Sequence, residues 1–181
     1  MQTPTSLTPT LACLRTFQGI PGPEIHALVS AGRVVNIARG ERLAQAGDPA
    51  GTGWLVVQGR MRLEAGTPRQ SLGDVWPGEL VGEHGLFGPA QTHVTDIVAA
   101  SDTILLALDR GTCHATGLRN NRAMAALQRH TLMVTARRLH TLDTSRARLA
   151  APTPQKPDVA PAEPDGQTLM GWLRGLFGGE E

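Results

Sequence analysis

The chain has 181 residues, 40% of them apolar, and a formal charge of +1. Domains run to roughly 100–200 residues, so this length holds one sizeable core plus tails and no second full domain. Near-neutrality supplies no global pull towards nucleic acid or anionic membrane, and three Phe, three Trp and no Tyr leave little surface for a binder that works by base stacking.

Cys13 and Cys113 have no metal-ligand spacing and are too small a framework to staple a fold of this size, so a reduced chain is expected. The start, "MQTPTSLTPT", has neither the positive region nor the apolar region of a signal peptide, and no apolar run approaches the roughly 18 residues of a membrane span. The expectation is a cytoplasmic protein.

Residues 1–10 are expected to be a flexible N-terminus. Two helical pieces follow over 8–30: "TPTLACLRTF" opens on a Thr-Pro cap signal, and "PGPEIHALVS" places Ile25, Leu28 and Val29 on one face after an early proline, with "QGIPG" as the break. From Val34 the period becomes that of strands, in short β-branched or alternating runs punctuated by glycines. Met61 and Leu63 alternate with Arg60 and Arg62, which predicts one buried and one wet face. "SLGDVW", "ELVGE", "HVTDIVAAS" and "TILLALD" complete the strands. Strands so short and so regularly separated favour an antiparallel β-roll, a double-sheet jelly roll, in an α+β fold.

Helical spacing returns with "DRGTCHATGL", and a second start signal at Asn120 and Asn121 opens a long helix to about Ala150. At about 1.5 Å per residue it would be roughly 45 Å long, more than such a domain needs for its own core. Leu132, Leu139, Leu142 and Leu149 fall on a heptad-like seam. The helix either lies along the β-domain or pairs with a second copy; the homodimer is preferred because the leucines run on past the expected end of the β-core. Residues 11–150 thus make the domain and its dimerisation helix. Residues 151–167, "APTPQKPDVAPAEPDGQ", read as a disordered proline-rich linker, and 168–181 as a short amphipathic helix with Trp172, Leu173, Leu176 and Phe177 on its apolar face.

The stretch "PGELVGEHGLFGPAQTHVTD", Pro77 to Asp96, sets Glu83 in a glycine-rich turn and contains no arginine or lysine. Together with "LRTFQGIPGPEIHAL", "ARGERLAQAGDPAGTGWLVVQGRMRLE", "WPGELVGEHGLFG" and "TILLALDRGTCHATGLRNN", it makes residues 11–149 resemble the cyclic-nucleotide-binding domain, the sensory module of the catabolite activator protein family and of cyclic-nucleotide-gated channels and kinases. The resemblance implies an eight-stranded β-roll closed by helices at both ends. It also implies that this loop is the phosphate-binding cassette, in which backbone amides and an arginine hold the cyclic phosphate and a glutamate accepts from the ribose 2′-hydroxyl. Gly82 and Glu83 match the start of that motif, and clustered amides beside glycines suit an anion.

Ten residues after Glu83, where cyclic-AMP binders of the family carry arginine and a small hydroxyl residue, this chain has His93 and Val94. A guanidinium is permanently charged and grips phosphate with two hydrogen bonds; histidine offers one donor in that direction and is mostly neutral at pH 7. The expected ligand set is Gly82, Glu83, His84, His93, Val94 and Thr95. A carboxylate that merely caps turn amides is the competing reading of Glu83. On the base side, alignment puts Leu142 and Asp143, or after a one-residue slip Thr141 or Thr144, where the family contacts adenine, and no base contact is assigned.

His84, His93, His130 and His140 raise a metal or haem site, but none makes a tight ligand pair, so no metal is expected and the candidate ligand is a cyclic nucleotide. No nucleophile motif, Walker loop or paired carboxylates point to an enzyme. Only the linker and a short segment follow the long helix, too little for a helix-turn-helix, which argues against DNA as a partner; Glu180 and Glu181 argue against a membrane surface. The preferred reading is a non-enzymatic, dimeric regulatory module with an altered cassette that docks on an unidentified partner protein through its tail. The alternatives are a working sensor of cyclic AMP, cyclic GMP or a cyclic dinucleotide, and a structural protein with an empty pocket.

Overall fold

A computed structural model describes residues 4–88 and 92–150, with side chains from residue 7 to residue 141 apart from that of residue 119. The expected linker and the docking residues Trp172, Leu173, Leu176 and Phe177 lie outside the described residues, as do the side chains of Leu142 and Leu149.

Helices α1 (Pro4–Ala12) and α2 (Gly22–Ala31) flank a single 3-10 turn at Arg15–Phe17. Helix α1 begins inside the stretch expected to be flexible, because Leu7 and Leu11 on one of its faces are buried in the core with Phe17. Eight strands follow: β1 (Arg33–Ile37), β2 (Arg42–Ala44), β3 (Thr52–Gln58), β4 (Met61–Ala65), β5 (Gln70–Val75), β6 (Leu80–Val81), β7 (Asp96–Ala99) and β8 (Thr103–Asp109). They form two four-stranded antiparallel sheets, ordered β1-β8-β3-β6 and β2-β7-β4-β5. This is the α+β double-sheet roll expected from the strand spacing.

The alternation of side chains along β3 and β8 divides the interior in two. Val56 and Leu105 face the other sheet, where they cluster with its Met61, Val75 and Ile97 and with Val81 of their own sheet. Leu55, Val57, Leu106 and Leu108 face the helices and pack with Leu28, Met124 and Leu127. Strands β3 and β8 are covered on both sides, which is why they read as nearly continuous apolar runs.

Helix α4 (Arg110–Ala115) is capped by Asp109, whose carboxylate accepts from the amide of Thr112 at 2.9 Å. Helix α5 (Arg122–Ala150) starts where Asn121 accepts from the amides of Ala123 (2.8 Å) and Met124 (3.1 Å), two of the donors that a helix start leaves without partners. The other end of the Asn121 amide donates to the carbonyl of Glu24 at 3.0 Å, tying the start of α5 to α2. Further along, Arg138 pairs with Glu79 at 2.9 Å, two residues before Val81 and the loop that follows it. Among the described residues no helix is long and apolar enough to cross a membrane.

Candidate functional site

Strand β6 ends at Val81, and Gly82 takes a left-handed conformation (φ 73°) that turns the chain into the five-residue helix α3 (Glu83–Phe87). An added Cβ on Gly82 would stand 2.8 Å from the Trp54 ring and 2.9 Å from the Thr52 carbonyl, so both the backbone angle and the space require glycine here. Gly85 lets the helix approach the backbone of residues 50–52, where an added Cβ would lie within 3.0–3.1 Å. The strand expected to run through Glu83 therefore stops two residues earlier.

At the other side of the loop, His93 is not in the strand expected to begin there. Its amide donates to the Asp48 carbonyl and its own carbonyl accepts from the Gly47 amide, both at 2.8 Å, which straps this segment to the turn before β3. His93 is 7% exposed, and its imidazole tilts against Trp54 with ring centroids 5.4 Å apart.

The structure brings Gly82, Glu83, His84, His93, Val94 and Thr95 together around one cleft of about 100 Å³. Sequence reasoning missed its apolar floor, made by Val81 and by Leu63 and Ile97, which face each other across β4 and β7. The alternation along β4 was the available signal. Val94 is 75% exposed at the rim, His84 is exposed, and Thr95 is half-buried. Oε1 of Glu83 lies 3.4 Å from Nδ1 of His84, and among the described residues no backbone amide donates to this carboxylate.

The electrostatics are unusual for a phosphate site. None of the described residues lining the cleft is arginine or lysine. Arg42 and Arg69 approach Asp96, at 3.9 and 3.4 Å, on the side of β7 opposite Ile97. Burial pushes the His93 imidazole below its ordinary value, and the nearby His84 adds to the shift, whereas the Asp48 and Glu83 carboxylates oppose it. The neutral ring is favoured in the fold.

That shift has a sign. The unfolded chain takes up a proton at His93 near pH 6.5 and the folded chain only at a lower pH, so stability from this group is complete above about 6.5 and declines as pH falls from there towards the folded value. Denaturant midpoints at about pH 7.5 and about pH 5.5 should fall further in the natural chain than in His93→Gln. Equal losses in the two proteins would mean that His93 titrates as it does in water.

Among the described residues no group of three or more His, Cys, Asp and Glu is arranged to hold a metal. What remains is a small, partly apolar cleft with one carboxylate, two imidazoles and a glycine-entered helix.

Two four-stranded antiparallel sheets, with the short helix α3 after β6 and the long helix α5 after α4, define the class of fold. Residues 34–116 match the family model of the cyclic nucleotide-binding domain, and this part of the chain is such a domain. Among solved structures, the N-terminal domain of a transcriptional regulator from Streptomyces coelicolor A3(2) is 26% identical, with a TM-score of 0.55 over 76% of this chain and 94% of that one. The catabolite activator protein of Thermus thermophilus is 28% identical, with a TM-score of 0.58 over 74% of this chain and 62% of its own. A cAMP-binding acyltransferase from Mycobacterium smegmatis is 26% identical, with a TM-score of 0.56 over 70% of this chain but 40% of its own. The chain thus spans less than two thirds of the last two proteins. None of the curated proteins matches it in sequence.

Proposed function

We propose that the protein is a non-enzymatic regulatory module whose cyclic-nucleotide cassette is altered so that cyclic AMP is held weakly, and that it signals as a cytoplasmic homodimer docking on a partner protein through residues 168–181. The carrying observation is the cleft itself: about 100 Å³, below the roughly 300 Å³ at which small-molecule sites begin, and lined among described residues by no permanent positive charge. A cyclic phosphate entering it would give up water without gaining a guanidinium, and losing one charge-assisted contact costs about 1.5–3 kcal/mol.

The left-handed Gly82 turn and the Glu83 carboxylate, to which no backbone amide among the described residues donates, support a second reading, a sensor that still takes a cyclic nucleotide or cyclic dinucleotide. Calorimetric titration of the purified chain with cyclic AMP, cyclic GMP and cyclic di-GMP separates the two. The altered-cassette reading expects no saturable cyclic-AMP binding at micromolar concentration. Saturable micromolar binding of any of the three would replace it with the sensor reading and identify the messenger.

A further inference from the structure

We propose a second ligand site, outside the cassette, that takes a small polyphosphate anion in the groove between the Arg15–Phe17 turn and α5. The groove measures about 370 Å³, within the roughly 300–1,000 Å³ of small-molecule sites, and shares no residue with the cleft around Glu83. Arg15, Thr16 and Gln18 line one side, and Arg129, His130 and Arg137 the other. Three permanently charged guanidiniums thus face one space in a chain whose formal charge is only +1, and no carboxylate lines it among the described residues.

Both walls are fixed by the core. Phe17, at the end of the turn, and Leu127, two residues before Arg129, belong to the same buried cluster. The Thr16 hydroxyl donates to the Gly78 carbonyl at 2.8 Å, holding the turn in place. Among the described residues neither Arg15 nor Arg129 forms an ion pair with a carboxylate. Their charges face solvent in the groove with no carboxylate among the described residues paired to them.

The spacing indicates the ligand class. Arg129, Met133 and Arg137 follow one another at i, i+4 and i+8, a stripe about 12 Å long on α5, with Arg15 across from it. A single carboxylate or phosphate is satisfied by one or two guanidiniums, whereas a chain of phosphates presents the several oxygens needed to engage three. Exposed Met133 offers an apolar seat for a base or sugar, so the anion is either a bare polyphosphate or a nucleoside polyphosphate. Measured from Met133, Leu132 and Leu139 stand roughly 100° and 120° away around the helix, so a seam through those leucines would run beside Arg129 and leave Met133 and Arg137 uncovered.

The test titrates the purified full chain, without magnesium and at low salt, with tripolyphosphate, ATP, AMP and adenosine. Saturable binding of tripolyphosphate and ATP is expected, with little from AMP and none from adenosine, and with affinity falling steeply as salt is added. Equal binding of the two would show that the phosphate chain alone is read; tighter binding of ATP would seat the nucleoside on Met133. The double variant Arg15→Ala with Arg129→Ala should weaken both at least tenfold, while Arg15→Lys with Arg129→Lys, which keeps charge and loses the planar fork, should fall between. No binding by the natural chain, affinities unchanged in the alanine variant, or loss on His93→Ala in its place would overturn the site.

Discussion

Replacing Leu132 and Leu139 with glutamate is expected to convert a dimer into a monomer without unfolding it. In a single copy these side chains are 67% and 58% exposed, although the same helix buries Met124, Leu127 and Thr131 completely enough to anchor it on the roll. Burying a leucine is worth roughly 1.5–3 kcal/mol, and a two-fold axis through this seam buries four of them, a gross gain of roughly 6–12 kcal/mol against the cost of association. Four carboxylates facing one another across the axis would remove that gain and add repulsion. Because neither leucine contributes to the core of a single copy, the circular-dichroism melt of the double variant should keep its cooperativity while light scattering reports half the mass. A mass unchanged by the substitutions, or a natural chain that is already monomeric, would end the dimer proposal.

Much of the fold was legible because its elements are locally determined. "TILLALD" became β8 without a change of boundary, since a strand covered on both faces needs an uninterrupted apolar run and a turn at either end. Asn121 announced α5 because capping depends on residues within one turn. Helix α3 was not legible. "ELVGEHGLF" has the composition of a strand and a turn, and what makes it helical is tertiary: Gly82 turns under Trp54, Gly85 meets the backbone of residues 50–52, and Leu86 enters the core. The N-terminal stretch was misread for the same reason, because polar composition hid the face that carries Leu7 to the core.

The candidate site divides along the same line. Its glycine, carboxylate and histidines could be picked out from their order in the loop. The Trp54–His93 contact could not, since it depends on how β3 sits against a segment some forty residues away, and the burial that turns the imidazole's proton affinity downward is likewise tertiary. The Arg15–Arg129 groove was hidden more completely, because nothing in either local sequence signals the other.

His93→Arg is expected to raise cyclic-AMP affinity by about ten- to a hundredfold, the equivalent of one restored charge-assisted contact to phosphate. Asp48 and Glu83, whose charges already act on position 93, would hold the guanidinium near the cleft before ligand arrives, and exposed Val94 beside it leaves the longer side chain a way towards the rim. The two proteins should also differ in pH dependence. In the natural chain His93 is neutral at pH 7, and a bound phosphate would favour imidazolium, so binding must bring in a proton and affinity should climb as pH falls below neutrality while Glu83 stays ionised. Arginine needs no proton, so the variant's affinity should be flat between about pH 5.5 and about pH 8. Calorimetry at those two pH values, in buffers of different ionisation enthalpy, reads both the affinity and the proton count. If the variant keeps its melting temperature yet shows no gain, and the natural chain takes up no proton, then position 93 does not face the phosphate. The closure of the cleft would then lie with its small volume, and shortening a lining side chain such as Leu63 or Ile97, not restoring charge, would be the change that reopens it.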